Sequence, residues 1–374
     1  MKKILFIERA VSMGGSIVGL LNIARNLDKT KYTPIIVCIH EGTHCSVIKK
    51  DFPDLIVLDR PKLRHGNILQ KFLLRAYHLS DLLKTIKREQ VSLIHFNNIF
   101  YYPGVFASIL TKTPCISHLR SLPVDYHTQM SKITLMTKIF SNFVNEYIAV
   151  STAVLQGHKK LGIKLKNSGV VYNGVDIEGI KEKASEPVDI PNIDLENDIV
   201  LGTVARLSWE KGLKYLFSAL PEIIKKHARL KCLIVGDGPL REELTNQVQD
   251  LGLTEKVIFT GETTNPFKYS IKFNIFIVPS EKEGLSRSIL EAMALTKPII
   301  ATKVGGIPEL IEHKKDGFLI EPKSSEEIIR AVNKIISDDE LRTTIKNNAY
   351  KKVLNNFAIK QCIQKIEKIY DNYL

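Results

Sequence analysis

Apolar positions along the chain fall into short runs, separated by longer stretches in which apolar residues recur every three to four positions. The runs in the first half are Ile4–Ile7, Pro34–Ile39, Leu55–Leu58, Leu93–Phe96, Pro114–His118 and Tyr147–Val150. Short apolar runs rich in β-branched residues predict buried strands. Between them, Ser16–Leu27 and Ile68–Arg88 carry the period of amphipathic helices. Strand alternating with helix at this spacing predicts βαβ units on a parallel sheet.

The rhythm breaks at Lys181–Asp198, a polar segment containing Pro187 and Pro191, and then resumes with Ile199–Val204, Leu230–Val235, Val257–Thr260, Ile275–Val278 and Ile299–Ala301. The expected fold is α/β, with two Rossmann-like doubly wound domains. Residues 1–180 form the first, 181–198 a linker and 199–355 the second. An amphipathic helix at Ile359–Tyr373, within 356–374, is expected to cross back to the first domain. Open parallel sheets bind ligands beyond the carboxyl ends of their strands. The chemistry is therefore expected in a cleft between the two domains.

Composition adds bounds rather than a function. The 374 residues suffice for two domains. Hydrophobic residues at 44% and charged residues at 25% suit a soluble globular protein. No apolar run approaches the ~20 residues that span a bilayer. The N-terminus turns charged after four apolar residues, unlike a secretory leader, so a cytoplasmic location is expected. Five scattered cysteines, none in a Cys-x-x-Cys spacing, suggest buried thiols rather than a disulfide framework or a zinc site. A net charge of +13 attracts nucleic acid, acidic lipid or phosphorylated substrate alike.

Three motifs carry candidate chemistry. Met13-Gly14-Gly15-Ser16 follows the first strand and opens a helix, where glycines let backbone N–H groups approach a phosphate; a ligand-free tight turn would read the same. Arg206 and Lys211, after Ile199–Val204, supply a guanidinium fork and a mobile ammonium suited to a diphosphate; a solvated loop with an ion pair to Glu210 is the plain alternative. The segment from Pro279 to Ala294 carries most weight. It contains Glu283, Gly284, Leu285 and Ser286 in a loop, and Glu291 one helical stretch later. Gly284 permits a sharp turn, and Ser286 or Ser288 is placed to cap the helix, whose first N–H groups favour an anion. Glu283 is placed to reach sugar hydroxyls and Glu291 a ribose diol. Each glutamate alone reads as an ordinary exposed or helix-stabilising acid; the pair in this setting does not.

With these motifs the chain resembles the retaining glycosyltransferases of the GT-B fold, in the large family 4 group (glycosyl transferases group 1). The resemblance runs in order through Gly14-Gly15, His118, Ser151-Thr152, Asn173-Gly174-Val175-Asp176, Arg206 and Lys211, Gly236-Asp237-Gly238-Pro239, the Glu283/Glu291 pair and Gly305-Gly306-Ile307-Pro308-Glu309. It implies a nucleotide diphosphate sugar as donor, a glycan or lipid-linked acceptor, and a role in bacterial surface polysaccharide synthesis. It implies no metal, no further cofactor and no nucleic acid. By position, Arg206 and Lys211 would hold the diphosphate, Glu291 the ribose and Glu283 the transferred sugar. Gly14, Gly15 and the Gly284–Ser286 turn would contact the donor, and His118 would face the reacting sugar. Many relatives carry Asp or Gly after that histidine, where this chain reads Leu119-Arg120-Ser121.

Two other motifs are weighed down by context. His40-Glu41-Gly42-Thr43-His44 matches the zinc-protease pattern, which needs both histidines on one helix face, yet it follows a strand and contains a glycine. Gly236-Asp237-Gly238 approaches a dinucleotide fingerprint, with Glu262 at a plausible distance, but Arg241 stands where the third glycine belongs. A dehydrogenase is disfavoured on that ground; an epimerase of the same fold and a non-enzymatic sugar-binding protein remain the alternatives. Finally, Lys62–Arg88 and Ser131–Val144 interleave cations with long apolar residues, including Lys71, Arg75, Lys132 and Lys138. Such stripes ordinarily belong to core-facing helices. They also suit an anionic membrane surface, which would make the protein peripheral on the inner face of the membrane.

Overall fold

The structure is a computed structural model that describes residues 1–10, 14–64, 67–123 and 130–374. Two compact units emerge: Met1–Gly174 with Ile359–Leu374, and Val175–Ala358. The first holds seven strands, β1 (Lys2–Glu8), β2 (Tyr32–Cys38), β3 (Ile56–Val57), β4 (Val91–Asn97), β5 (Cys115–Leu119), β6 (Glu146–Ala149) and β7 (Ser168–Val170). The second holds six, β8 (Ile199–Val204), β9 (Leu230–Val235), β10 (Val257–Gly261), β11 (Ile275–Val278), β12 (Ile299–Thr302) and β13 (Phe318–Ile320).

The sheets run in the orders β3-β2-β1-β4-β5-β6-β7 and β10-β9-β8-β11-β12-β13. Strand pairing is parallel in both. Each order reverses direction once, between β1 and β4 in one unit and between β8 and β11 in the other. These reversals open crevices at the strand ends, because the connections leave toward opposite sides. Central strands are apolar on both faces; Ile4, Leu5 and Phe6 are fully buried, as are Leu233 and Ile234. Helices on both faces of a parallel sheet require this pattern.

The division falls after Gly174, six residues before the expected boundary. Ile177–Ala184 is a helix of the second unit, capped where the Asp176 side chain accepts from Gly179 N–H at 3.2 Å. Its Ile177, Ile180 and Ala184 are buried on one face among more numerous charges. The C-terminal helix Ile359–Asp371 belongs to the first unit. Cys362, Ile363, Ile366 and Tyr370 enter that unit's core beside Leu20 and Ile36. Polar fastenings accompany the apolar seam: Asp28 N–H donates to Glu367 at 2.7 Å, and the Tyr373 hydroxyl donates to Glu146 at 2.9 Å.

Candidate active site

In the second unit, chemistry gathers at the strand reversal. The loop after β8 carries Arg206 and Lys211, and the loop after β11 carries Glu281 through Ser286. Their backbones are tied, since the Glu210 carbonyl accepts from the N–H groups of Glu281 (2.8 Å) and Lys282 (3.3 Å). Gly212 makes this approach possible. Its φ is +62°, and a Cβ there would lie 2.1 Å from the Pro279 carbonyl oxygen, so any other residue would part the two loops.

Lys211 and Glu283 meet across this junction, Nζ to Oε2 at 2.6 Å, with side chains 24% and 13% exposed. The sequence alternative, a pair with Glu210, is not what forms. Glu210 accepts instead from the Ser208 hydroxyl at 2.6 Å. Arg206 is exposed, and its guanidinium makes no hydrogen bond or ion pair among the described residues. An ammonium held by a carboxylate, on a loop that also carries an uncommitted guanidinium, is an arrangement suited to a polyanion.

Glu291 lies on the helix Arg287–Ala294, one turn on from Arg287, whose Nη2 donates to it at 3.1 Å. Burial pushes the Glu291 carboxyl above its ordinary value of 4.5, and the Arg287 charge and hydrogen bond offset this in part. Arg287 itself was not singled out by sequence. Its Nη1 is buried without a partner among the described residues, an unspent donor in the first turn of that helix. Ser286 occupies the N-cap position, but its side chain does not cap; its hydroxyl meets that of Ser288 at 3.1 Å. The first-turn N–H groups therefore lack the side-chain partner that the sequence suggested. Leu285 and Ser286 are buried and Gly284 half-buried.

The Gly236-Asp237-Gly238 turn serves the same loop structurally. Gly236 has φ +131°, and a Cβ would sit 2.2 Å from the Ala205 carbonyl oxygen; the turn braces the segment leading into Arg206. Arg241 packs over the Phe259 ring at 4.6 Å.

In the first unit, Gly14 and Gly15 are exposed at the start of the helix Gly15–Asn26, and Met13 lies outside the described residues. Gly14 is extended, and a Cβ on it would meet nothing within 4 Å. Local packing thus gives no reason for glycine there, whereas close approach of a ligand would. No acidic residue occupies the first turn of this helix, which leaves its positive end uncompensated.

His118 is the penultimate residue of β5 and is 1% exposed. Its Nδ1 lies 3.3 Å from His95 Nε2 and 3.4 Å from Arg120 Nη2, while its Nε2 is buried without a partner among the described residues. His95 Nδ1 in turn meets the Tyr370 hydroxyl at 2.6 Å. Arg120 reaches Asn97 and Asn173, and Asn97 donates to the buried Glu8 carboxylate at the end of β1. Within this network, sequence reading gave a role only to His118; Asn173 and Arg120 were noted for the resemblance and the departure from it, and Glu8, His95, Asn97 and Tyr370 were not singled out. Its links span up to 275 positions, and no local pattern announces them.

The His40–His44 pattern straddles a helix start. The helix begins at Thr43 with Gly42 as N-cap, so the two histidines do not share a helix face. The structure does bring Cys38, His44 and Cys45 together, all buried, with ligand atoms within 4.8 Å of one another. Cys45 Sγ lies 3.6 Å from His44 Nε2, a thiol hydrogen-bond distance. Burial, followed by Cys45 and Glu8, pushes the Cys38 thiol up. The scattered cysteine spacing concealed this group.

The first unit matches the model of glycosyltransferase family 4 over residues 13–178, and the second that of glycosyl transferases group 1 over 187–352. The chain is 26% identical over 284 residues to the capsular polysaccharide biosynthesis glycosyltransferase CapM of Staphylococcus aureus, covering 72% of this chain and 74% of that one. It is 31% identical over 196 residues to the N-acetylgalactosamine-N,N'-diacetylbacillosaminyl-diphospho-undecaprenol 4-alpha-N-acetylgalactosaminyltransferase of Campylobacter jejuni, covering 51% of this chain and about half, 50%, of the relative. In fold it is similar to Anabaena HepE, solved with UDP and glucose, at TM-score 0.84 and 24% identity over the whole of both chains. With both sheets in Rossmann order and a model matched on each unit, the chain belongs to the glycosyltransferases of family 4 and group 1, with the GT-B fold.

Proposed function

We propose that this enzyme moves a sugar from a nucleoside diphosphate donor to a glycan or lipid-linked acceptor in surface polysaccharide synthesis, with retention of anomeric configuration. The observation that carries the reading is the junction of Lys211, Glu283 and the free Arg206 at the β8/β11 reversal. Arg206 and Lys211 take the diphosphate. As the glycosidic bond breaks, charge develops on the departing diphosphate, and the held Lys211 ammonium together with the Arg206 guanidinium stabilises it without a metal. Glu283, oriented by Lys211, accepts from hydroxyls of the transferred sugar, and Glu291 accepts from the ribose. On the retaining route the acceptor hydroxyl attacks from the face the diphosphate leaves, and a diphosphate oxygen takes its proton. Gly14 and Gly15 contact phosphate, and His118 meets the reacting sugar.

A lipid-linked acceptor accords with the exposed apolar surface of the first unit. Of the seventeen large hydrophobic residues exposed in the described chain, twelve lie in three neighbouring segments, the helices Ile68–Glu89 and Tyr102–Thr111 and the stretch 135–143. Phe72 is 67% exposed and Leu110 63%. Ring contacts from Tyr102 and Phe106 to Phe140 join the second and third segments. Lys71, Arg75 and Lys138 are exposed among them, while the side chains of Lys132 and Ile133 lie outside the described residues. A monomeric soluble surface rarely concentrates apolar residues so strongly, and cations beside them favour an anionic leaflet. No helix among the described residues is long and apolar enough to cross a membrane. The test is incubation with a panel of nucleotide sugars and undecaprenyl-diphosphate-linked acceptors, with the product anomer determined by NMR. Retained configuration supports the reading; inversion overturns the retaining assignment, and no turnover with any donor overturns the transferase assignment.

A further inference from the structure

We infer that His118 is held as a neutral imidazole with its proton on Nε2, meeting ligand only as a hydrogen-bond donor, and that Tyr370 of the C-terminal helix is the residue that positions it through His95. The part concerning turnover rests on the proposal that His118 meets the reacting sugar; the tautomer does not.

The direction of each hydrogen bond follows from one group that has no choice. A guanidinium donates and never accepts, and it stays charged. Arg120 Nη2 lies 3.4 Å from His118 Nδ1, so that nitrogen presents its lone pair. His95 Nε2, 3.3 Å from the same atom, must then be the N–H donor of its ring. His95 Nδ1 is consequently an acceptor, and the Tyr370 hydroxyl 2.6 Å away donates to it. The reverse chain, with protons running from His118 to Tyr370, would aim an N–H at the guanidinium.

Arg120 is itself fixed. Its Nε donates to Asn97 and its Nη1 to Asn173 at 3.2 Å. Asn97 is held by donating to Glu8 and, at 3.1 Å, to the Ser16 carbonyl. Glu8 accepts from the backbone N–H groups of Arg9 and Ala10, both at 2.7 Å. Glu8 from β1, His95 from β4, Arg120 beyond β5 and Tyr370 from the C-terminal helix are the charged and titratable groups of this network. His118 and His95 are buried at 1% and 0% exposure. Desolvation, then the Arg120 charge and His95, hold His118 well below the ordinary 6.5, and desolvation with Arg120 takes His95 to about 3. Both rings are therefore neutral, and His118 is left with one N–H, at Nε2, that finds no partner among the described residues.

A buried N–H without a partner is unfavourable in the free protein, and a ligand oxygen relieves that. The matching ligand group is a hydroxyl or phosphate oxygen acting as acceptor. The same tautomer prevents His118 from serving as a general base, since its only lone pair faces Arg120 and His95. Tyr370 does not touch ligand in this account; it holds His95 in the tautomer that donates to His118.

The test uses the full chain labelled with 15N-histidine, the His118 signals being assigned with His118→Gln. The expected spectrum shows a protonated Nε2 and an unprotonated Nδ1, unchanged between pH 5.5 and 8.5. A protonated Nδ1, or titration of His118 within that range, overturns the inference. Arg120→Met should move the proton on His118 toward Nδ1; an unchanged tautomer there contradicts the role given to Arg120. Tyr370→Phe, with its folding verified by an intact cooperative melt, should lower kcat about three- to tenfold and leave donor KM within about twofold. Equal kcat in Tyr370→Phe removes the positioning role. If His118→Ala turns over normally, the proposed function of His118 fails, while the tautomer spectrum still decides the structural part.

Discussion

Replacing Lys211 by Ala should weaken donor binding by the worth of one charge-assisted contact, and a second substitution should restore part of the loss. Lys211 and Glu283 form a half-buried pair at 2.6 Å. The ammonium therefore serves two anions once a diphosphate arrives. Removing it deletes a charge-assisted contact of about 1.5–3 kcal/mol. It also leaves the Glu283 carboxylate, 13% exposed, facing the diphosphate uncompensated. At an effective dielectric of ~20 and a separation of ~8 Å, that repulsion is about 2 kcal/mol. Because that repulsion acts in the native protein as well, it does not add to the loss: removing the ammonium weakens affinity by about 10–10²-fold, and the repulsion is what the second substitution relieves. Glu283→Gln should do the opposite to binding, changing donor affinity little or tightening it, while lowering kcat. The double substitution should recover about tenfold or more relative to Lys211→Ala alone. The assay is calorimetric titration of the four proteins with UDP, GDP, ADP and TDP at fixed ionic strength, using whichever binds the native protein. A Lys211→Ala protein within twofold of native, or a double variant no better than the single one, would refute the shared role of this pair.

Glu291 sets a pH dependence: its carboxyl protonates above the ordinary 4.5, so donor affinity should weaken on acidification before that value is reached, and Glu291→Gln should bind weakly with a flatter profile. Because the folded value is raised, the carboxylate's relative contribution to stability is lost as pH rises through it. Glu291→Gln should accordingly melt no lower than native at pH 7, and a lower melting temperature would contradict the sign. Transfer should survive a chelator in full; loss restored by magnesium or manganese would contradict the cation-based account, and stoichiometric zinc would point to Cys38, His44 and Cys45. Sedimentation with vesicles should show salt-sensitive binding to anionic but not neutral lipid, weakened in Phe72→Ser with Leu110→Ser; equal, negligible binding to both vesicle types would end the membrane proposal.

Most strands were legible because they are continuous apolar runs, and β1, β4, β8, β9 and β11 fall within a few residues of their expected positions. The two strands that went unread, β7 (Ser168–Val170) and β13 (Phe318–Ile320), have three residues each and lie at sheet edges. Ser168-Gly169-Val170 offers no apolar run at all. The helix Ile177–Ala184 went unread, its first half assigned to the first domain and its second half to the linker, because three buried positions are outnumbered by charges. The placement of the candidate donor-side residues was legible for a related reason. Arg206, Lys211 and Glu283 lie in loops after recognisable strands, and Glu291 lies on the helix that follows. What sequence could not show is pairing at a distance: Lys211 with Glu283 across 72 positions, His118 with His95 across 23, and Tyr370 with His95 across 275. The segment Leu119–Ser121 acquires a physical role only once Arg120 is seen fixing the polarity of the His118 network.

On the function proposed above, the β8/β11 junction holds a nucleoside diphosphate sugar for transfer. The most direct measurement is release of nucleoside diphosphate from a nucleotide-sugar panel, with and without acceptor, by the native protein and by Lys211→Ala and Glu291→Gln. The account predicts release with at least one donor, stimulated by acceptor and reduced at least about tenfold in each variant. Release that proceeds equally in both variants would contradict it, because the donor would then be bound and activated somewhere other than this junction.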